Sequence, residues 1–494
     1  MALPRLDVEP RFSLLARHTP ARFFCAAAVL ITLSVLIRAV DHDESQYVAA
    51  IALERTRLLY RDFAYLQTPL QPLLLAPLSY LPAGWLFVAT RAVNGFFGLI
   101  TLLFLFLGLR CRASERATLI ALAALLCTDA FLLASSLARN DALAMALLAA
   151  AIPLLLTAIE SKSASMSFLA GMALGLAASA KISFAFPAAG AGLFILLRAR
   201  RFGLPVVSSF VAGALAGLLP CIVLGAIAPA QFGFDVVRYS LDAPVQWWSY
   251  LGQGAEFDPI VRVLKLTGQA AFGSVIVALV AAAFDRRQSD DRCVLDYMIA
   301  GGLIASYLPV PALTQYLVPL LPPLFARFAL ALDAVPPMPK KGLVIFAVIG
   351  SVAGLTSSFV VRFSRMQMIE SVEIGQEVAG LARGGQVVTL SPEYIAGNGL
   401  SLDSRFASGP FLYRTQDGLA EFTETDGRAV SVDFLKRDLN AHPPAVVLVG
   451  QEGSPSGRRF PSGLDQTLVT WARQRRYRTV RLQRGFVAFV HNRA

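Results

Sequence analysis

Three carboxylates follow the first long apolar segment of the chain, within the sequence DHDESQY at residues 41–47. Ionised groups that adjoin hydrocarbon lose hydration, so they are costly at the end of a membrane helix and often mark a functional site. A carboxylate at a membrane–water boundary can act as a general base that takes the proton of an acceptor hydroxyl. We therefore expect Asp43 and Glu44 to be catalytic, with Asp41 and Tyr47 as further candidates.

Ionisable residues also lie at the predicted outer ends of later helices. Arg139 and Asp141 lie between the third and fourth predicted spans, Lys181 lies between the fifth and sixth, and Tyr316 begins the tenth. Short loops hold such groups at membrane depth, where opposite charges that converge on one cavity would compensate each other. Asp141 would then be catalytic, while Lys181 and Arg139 would offset the charge of an anionic leaving group. In the structural alternative, Arg139 and Asp141 pair at a helix junction and Lys181 extends to the surface.

Other residues in the first outer loop have more than one interpretation. Tyr60 and Asp62 belong to a second motif, YRDF at residues 60–63, in which Asp62 either takes part in the chemistry, caps a short helix or pairs with Arg61. His42 is either a solvated loop residue or a metal ligand. A divalent cation such as Mg²⁺, Ca²⁺ or Mn²⁺ would suit the carboxylates, whereas Lys181 could take the place of a cation. Metal use stays open at this stage.

The composition indicates which elements must position these residues. Charged residues make up 16% of the chain, against roughly 25% in a soluble domain. With 56% hydrophobic residues and a mean hydropathy of +0.59, this predicts a polytopic α-helical membrane protein. The net charge of +11 then indicates Lys and Arg residues in short loops that set the membrane topology, rather than nucleic-acid binding. Taking roughly 20 residues per span, about eleven spans are predicted, near 22–40, 85–109, 117–135, 141–159, 167–180, 183–197, 204–227, 266–284, 293–309, 316–333 and 342–361.

The distribution of Lys and Arg predicts the orientation. They are concentrated in one set of short loops that includes the N-terminal segment, so residues 1–21 are expected to be cytoplasmic and the odd number of spans places the C-terminus outside. Residues 22–363 then form the transmembrane domain, with long outer loops at about 41–84 and 228–265. The apolar spacing after residue 46 predicts an amphipathic helix at the membrane interface.

After residue 363 the composition becomes that of a soluble domain. Strands are predicted at 386–390, 445–449 and 486–490, and helices near 370–381, 432–440 and 465–475. We therefore expect a soluble α/β domain over residues 364–494 on the outer face. Arg405, Tyr413 and Arg414 within it are either substrate contacts or part of a solvated loop.

Taken in order, the motifs resemble those of a known superfamily, the GT-C membrane glycosyltransferases. They are most similar to bacterial relatives of protein O-mannosyltransferases and lipid A aminoarabinose transferases. The matching segments are Asp43-Glu44 with Tyr47, YRDF at 60–63 with TPL at 68–70, Arg139-Asn140-Asp141, Ala180-Lys181, and QYLVP at 315–319 with Pro322. The chain departs from the pattern at RLL (57–59), where relatives often have a glycine, and at Ser179-Ala180, where a threonine is common.

The resemblance implies a membrane glycosyltransferase whose sugar donor is linked to polyprenyl phosphate and enters from the outer leaflet. Asp43 would be the general base in an inverting transfer, aligned or assisted by Glu44, while Asp141 would position the acceptor or the sugar. Lys181 and Arg139 would contact the donor phosphate. The acceptor would be a lipid, a glycan or a protein, and the location would be a bacterial inner membrane with a periplasmic C-terminal domain.

Two other functions fit a polytopic membrane protein. A flippase or transporter of lipid-linked sugars should show internal repeats and broken helices near the midplane, and neither is evident in the sequence. A scaffolding protein would not require clustered carboxylates at the first outer boundary. Transfer chemistry is therefore the favoured prediction, and the flippase is the alternative.

Overall fold

Helices make up almost all of the chain before residue 362. The computed structural model describes residues 19–334, 337–361, 367–414, 428–430, 432–450 and 464–492, so most of the predicted N-terminal segment 1–21 lies outside the described residues. The helices of this part are α1 (Thr19–Ile37), α2 (Glu44–Leu53), α3 (Leu70–Leu75), α4 (Trp85–Leu109), α5 (Glu115–Leu126), α6 (Asp129–Ser136), α7 (Asp141–Ser161), α8 (Ala164–Ala180), α9 (Ala185–Leu197), α10 (Ala199–Phe202), α11 (Leu204–Gly217), α12 (Leu219–Ile227), α13 (Pro229–Gly233), α14 (Tyr239–Tyr250), α15 (Pro259–Ala271), α16 (Val275–Phe284), α17 (Asp290–Tyr307), α18 (Leu321–Ala334) and α19 (Pro337–Thr356).

Five helical segments among the described residues are long and apolar enough to cross a membrane, or up to eight if each bent pair is one span. The five are Thr19–Ile37, Trp85–Leu109, Asp141–Ser161, Thr314–Ala334 and Lys341–Val361, and two shorter apolar helices cover Ala164–Ala180 and Ile182–Leu197. The chain is thus a multi-pass helical protein, as predicted. The count of eleven spans stays a prediction.

Three predicted spans are bent rather than continuous. The bends are 68° between α5 and α6, 50° between α11 and α12, and 97° between α15 and α16. Thr128 has an extended backbone at the first bend, Pro220 is the second residue of α12 at the second, and Gly273 has a φ of +150° at the third. Proline lacks the N–H that would continue the helix, and glycine tolerates the positive φ. Broken helices were not evident in the sequence, so these bends correct the continuous spans predicted at 117–135, 204–227 and 266–284.

Small residues set the position of α8, the helix that precedes Lys181. Gly171 on α8 and Gly213 on α11 lie so close to the facing helix that a Cβ on either would collide with a backbone oxygen. Small residues allow membrane helices to approach this closely. The Ser179 hydroxyl also donates to the carbonyl of Gly217 at 2.8 Å, near the end of α8. The end of α8 is therefore fixed against α11.

A five-stranded mixed sheet lies in the C-terminal part of the chain. Its order is β2 (Ser401–Leu402), β1 (Gln386–Thr389), β3 (Val446–Val449), β5 (Val487–Val490) and β4 (Arg478–Arg481), in which β1 pairs in parallel with β2 and β3 while β5 is antiparallel to β3 and β4. The helices are α20 (Gln367–Ala382), α21 (Val432–Ala441) and α22 (Leu464–Gln474).

The three predicted strands and three predicted helices of this part are confirmed. The prediction missed β2, which has two residues, and β4, which is mostly exposed. Neither strand has the alternation of apolar and polar residues, or the short apolar run, from which a strand is predicted. The predicted boundary at 363/364 falls on residues outside those described.

Helix α2 forms where an amphipathic helix was predicted, but it is not at the interface. All of its residues except Ala52 are buried. The C-terminal part covers it, since the turn Pro392–Tyr394 packs against α2 and Gly409 lies against Ser45. The interfacial position is therefore wrong, because the sequence pattern could not reveal what covers the helix.

Candidate active site

Four of the predicted site residues form one network of ion pairs. Arg139 donates from Nη1 to the Asp43 carboxylate and from Nε to Asp141 Oδ2 at 3.2 Å. Lys181 donates from Nζ to Asp141 Oδ1 at 2.5 Å. Three segments that are far apart in the sequence thus meet in space, and their two cations balance their two carboxylates. Burying a set of charges that balance one another costs less free energy than burying the same charges unpaired.

Local structure and two asparagines hold the network in place. Asp43 directly precedes α2, Asp141 is the first residue of α7, and Lys181 follows α8 in an extended conformation. The Asn94 amide on α4 donates to the carbonyls of Leu137 and Arg139 at 2.6 Å each, and Asn140 donates to the carbonyl of Ala180 at 2.7 Å. These amides fix the two loops relative to each other.

The solvent exposure of the side chains increases along the network from Asp141 to Asp43. The side chain of Asp141 is 1% exposed, those of Arg139 and Lys181 are 6% and 8% exposed, and that of Asp43 is 21% exposed. His42, which contacts Asp43 at 3.2 Å, is 49% exposed. The network therefore has a buried end at Asp141 and Lys181 and an open end at Asp43 and His42.

Charges around Asp43 keep it ionised. Burial raises the pKa of its carboxyl, but the nearby charges of Arg139, then His42, Arg414 and Lys181, outweigh burial and hold the pKa below its usual value. Opposite charges within a few ångströms favour the charged form of a carboxyl. Asp43 is accordingly a carboxylate at neutral pH.

Glu44 lies outside this network, in a fully buried pair with Arg91. Arg91 Nε and Nη2 donate to Glu44 at 2.8 Å and 2.5 Å, and its other donors reach the carbonyls of Arg38 and Ala39 at 2.9 Å. Glu44 also accepts the backbone N–H of Ala138 at 2.6 Å. One carboxylate thus joins the loop of Asp43 to the loop of Arg139.

Sequence reasoning missed Arg91, although a signal was present. It lies inside the apolar helix Trp85–Leu109 and is fully buried. An arginine within a membrane span is costly unless it has a partner, so its presence indicates one.

The remaining candidates divide into two groups. Tyr47 and Tyr316 lie within electrostatic range of Asp43, Arg139 and Asp141. Tyr60 and Asp62 contact residues outside the network. The Tyr60 hydroxyl donates to the Gln67 carbonyl at 2.7 Å and its ring packs on that of Phe232 at 4.9 Å. Asp62 accepts from Arg61 at 2.8 Å and from the Leu58 N–H at 2.7 Å, which closes a turn.

Asp41, His42 and Asp43 could hold a divalent cation. One ligand atom from each lies within 4.8 Å of the others. His42 Nδ1 is 3.4 Å from Asp41, and its Nε2 is 3.2 Å from Asp43. An imidazole with two carboxylates suits Mn²⁺ or Zn²⁺ better than an all-oxygen site would.

The C-terminal part contributes a wall at the open end of the network. The Phe411 ring lies 5.7 Å from that of His42, and Tyr239 donates from its hydroxyl to the Phe411 carbonyl at 3.0 Å. The Arg414 guanidinium lies over the rings of Phe411 and Trp247 at 5.1 Å and 5.3 Å. Trp247 is buried against this wall.

The other two tail residues considered in the sequence have contacts within the C-terminal part. Arg405 pairs with Asp403 at 2.6 Å and also pairs with Asp438. The Tyr413 hydroxyl donates to the Arg405 carbonyl at 3.0 Å. Of the three candidates, Arg414 is the one that reaches the open end of the network.

A buried carboxylate ties the C-terminal part to both long outer loops. Asp235 Oδ2 accepts from Arg428 at 2.8 Å and from the backbone N–H of Tyr65 at 3.1 Å. Both charged side chains are nearly inaccessible to solvent. The three segments around the network are therefore fixed against one another.

Comparison with known proteins shows the fold. No protein-family model matches the chain, and no curated protein matches it at a significant level. Solved structures do match. ArnT from Cupriavidus metallidurans, bound to undecaprenyl phosphate, superimposes with a TM-score of 0.61 over 96% of this chain and 98% of that chain, at 13% sequence identity. The chain has the GT-C fold.

Archaeal GT-C proteins are also similar to it. AglB from Archaeoglobus fulgidus, in complex with an inhibitory peptide and a dolichol-phosphate, matches with a TM-score of 0.51 and 14% identity over 88% of this chain and 69% of that chain. The Archaeoglobus fulgidus oligosaccharyltransferase in complex with Zn and sulfate matches with a TM-score of 0.50 and 14% identity over 86% and 67%. The resemblance read from the motifs is thus confirmed for the fold, and the role of each side chain rests on the geometry described above.

Proposed function

We propose that this protein is a membrane glycosyltransferase that moves a sugar from a polyprenyl-phosphate-linked donor to a hydroxyl of a lipid, glycan or protein acceptor. The observation that carries the proposal is the network of Asp43, Arg139, Asp141 and Lys181 within a GT-C fold. ArnT, which shares the fold, is bound to undecaprenyl phosphate in its structure, and the oligosaccharyltransferase AglB is in complex with a dolichol-phosphate.

The buried end of the network suits the donor. Lys181 directly follows the apolar helix α8, and its ammonium would pair with the phosphate of a donor that approaches from the membrane. Arg139 is the second cation, and Asp141 holds both in place. As the bond between the anomeric carbon and the phosphate oxygen breaks, negative charge develops on the departing lipid phosphate, and preorganised cations stabilise it.

The open end suits the acceptor. Asp43 is ionised and is the most exposed member of the network, so it can take the proton of an acceptor hydroxyl. The hydroxyl oxygen attacks the anomeric carbon, polyprenyl phosphate leaves from the opposite side, and the configuration inverts. The oxocarbenium-like transition state gains from a carboxylate close by. Phe411, Arg414 and Trp247 would border the incoming acceptor.

Glu44 has a different part in this proposal from the one that the sequence suggested. Its carboxylate is fully buried and committed to Arg91 and to the backbone N–H of Ala138. It therefore positions Asp43 and Arg139 rather than contacting the substrate. A divalent cation on Asp41, His42 and Asp43 would bind next to the base and is an optional part of the proposal. We place the protein in a bacterial inner membrane with a cytoplasmic N-terminus and a periplasmic C-terminal domain.

The flippase alternative gains one observation from the structure. Asp129 begins α6 at a helix break and accepts a hydrogen bond from the Ser358 hydroxyl at 2.6 Å. Polar groups at broken helices are typical of transporter binding sites. The four-residue network, in contrast, lies at helix ends away from the three bends, and transfer chemistry accounts for its pairing of acids and bases.

The test is transfer from a radiolabelled polyprenyl-phosphate sugar pool to endogenous lipid in membranes. The Asp43→Asn variant keeps the size of the side chain and loses its basicity, so we expect normal abundance and no transfer. Asp62→Asn is the matched control, because it removes a carboxylate of the same loop that lies outside the network. Unchanged transfer by Asp43→Asn would remove this residue as the base. Wild-type membranes that translocate labelled lipid without transferring sugar, across several donors, would favour the flippase.

A further inference from the structure

A cavity of about 550 Å³ lies away from the charged network, between the N-terminal halves of α5 and α19. Its size is that of a pocket for a small organic ligand. The residues that line it are Ser114, Arg116, Ala117, Ile120, Lys341, Val344 and Ile345. Nothing in the proposed transfer reaction uses them.

The lining is polar at one end and apolar at the other. Arg116 and Lys341 lie near the starts of the two helices, whereas Ile120 and Ile345 lie one turn further along, about 6 Å away at 1.5 Å per residue. Both helices therefore carry a basic residue before an apolar wall. An amphiphile with a charged head and a hydrocarbon tail matches this arrangement.

The charge of the polar end is positive. Arg116 and Lys341 supply two cations to the lining, and none of the residues that line the cavity is acidic. Two carboxylates adjoin the lining: Glu115 lies between Ser114 and Arg116 in the sequence, and Asp333 accepts from the backbone N–H of Ser114 and from its hydroxyl at 2.7 Å. The Asp333 carboxylate is engaged at the start of α5, where the helix dipole favours negative charge.

The apolar end opens toward lipid. Ile345 is 60% exposed and its neighbours along α19, Phe346, Val348 and Ile349, are also exposed. In a membrane such residues face acyl chains, so the cavity is continuous with the hydrocarbon. We propose that this cavity binds an anionic phospholipid, with the headgroup phosphate on Arg116 and Lys341 and an acyl chain along Ile120, Val344 and Ile345. Basic pockets between helices at the cytoplasmic side of a membrane bind anionic headgroups, and the orientation predicted here places these residues on that side.

The test is native mass spectrometry of the delipidated full-length protein titrated with dioleoyl phosphatidylglycerol or dioleoyl phosphatidylcholine. We expect the first phosphatidylglycerol to bind more tightly than phosphatidylcholine. Each basic residue near a membrane surface contributes roughly fivefold to the binding of anionic lipid, so Arg116→Gln/Lys341→Gln should weaken binding by roughly 25-fold. The control Arg110→Gln/Arg200→Gln removes two exposed arginines outside the lining and should leave binding unchanged.

A second variant separates a defined site from general attraction between charges. Ile120→Trp fills the apolar end and keeps both cations, so it should also abolish the first tight binding event. Three results would each overturn the proposal. They are equal affinity for the two phospholipids, an equal loss of phosphatidylglycerol affinity in the test and control double variants, and full binding by Ile120→Trp. Undecaprenyl phosphate is titrated in parallel, and a preference of the cavity for it over phosphatidylglycerol would overturn the identity of the ligand.

Discussion

Replacing Gly409 with alanine tests whether the C-terminal part rests on the helix that follows Asp43. Gly409 has a φ of +61°, and a Cβ there would lie 2.8 Å from the Ser45 Cβ and closer still to its hydroxyl. Ser45 is fully buried in the first turn of α2, so it cannot move aside without moving the helix. The substitution should therefore separate the two parts of the chain or displace α2.

Gly399 is a matched control for the size of this effect. Its φ is +72° and a Cβ there would meet no atom within 4 Å. Both substitutions carry the strain of an L-residue in the left-handed region, about 1–2 kcal/mol, offset by about 0.4–1 kcal/mol from the stiffer unfolded chain. Gly409→Ala alone adds the cost of overpacking, about 1–3 kcal/mol. That difference is the expected gap in stability between the two variants.

Unfolding in detergent, by heat and by denaturant, measures the gap, and transfer activity gives a second readout. Gly409→Ala should lower both, since Asp43 adjoins the displaced helix, whereas Gly399→Ala should leave transfer intact. Ser45→Gly removes both colliding atoms, so the double variant should recover part of the loss after the roughly 1 kcal/mol cost of glycine in a helix. Equal stability of the two alanine variants would refute the docking of the C-terminal part on α2.

Two further predictions concern the charged groups. Arg91→Leu should destabilise the protein by about 3–5 kcal/mol, because Glu44 would stay buried without its partner, and Arg91→Leu/Glu44→Gln should recover much of this in thermal unfolding. If Arg91→Leu lost no more stability than Arg57→Leu, which changes an exposed arginine, this prediction would be contradicted. Arg139→Gln should raise the pKa of Asp43, so activity should fall at a higher pH than in the wild type as the solution is acidified. In the wild type, ionised Asp43 stabilises the fold at pH values above its pKa in the unfolded chain, about 3.9. This stabilisation is lost as the pH falls through the lower pKa that Asp43 has in the folded protein. An acidic limb of the pH–rate profile that does not shift would exclude Arg139 as the group that keeps Asp43 ionised.

The meeting of Asp43, Arg139, Asp141 and Lys181 was predictable from the sequence. Each lies at the end of an apolar segment, and the predicted topology places all of those ends on one side of the membrane. Helix type and approximate bounds were also readable, because hydrocarbon imposes long apolar runs on the spans. The strands β1, β3 and β5 were readable for a similar reason, since each is a short apolar run with buried residues.

Which carboxylate pairs with which cation was not predictable. The sequence around Glu44 gives no sign that its carboxylate turns toward Arg91 while that of Asp43 turns toward Arg139. Adjacent residues at the start of a helix point in different directions, and which partner each carboxylate meets depends on the packing of α4 and of the loop before α7. The bends had partial signals in proline and glycine, but the bend at Thr128 had none.

The C-terminal part is a structural component of the site whether or not it binds the acceptor. It buries α2 through Gly409, it is tied to both outer loops through Asp235 and Arg428, and it places Phe411 and Arg414 at the open end of the network. A helix as apolar as α2 would otherwise expose its outer face to water. The orientation of Asp43, and with it the proposed separation between donor and acceptor sides, therefore depends on residues that are distant from Asp43 in the sequence.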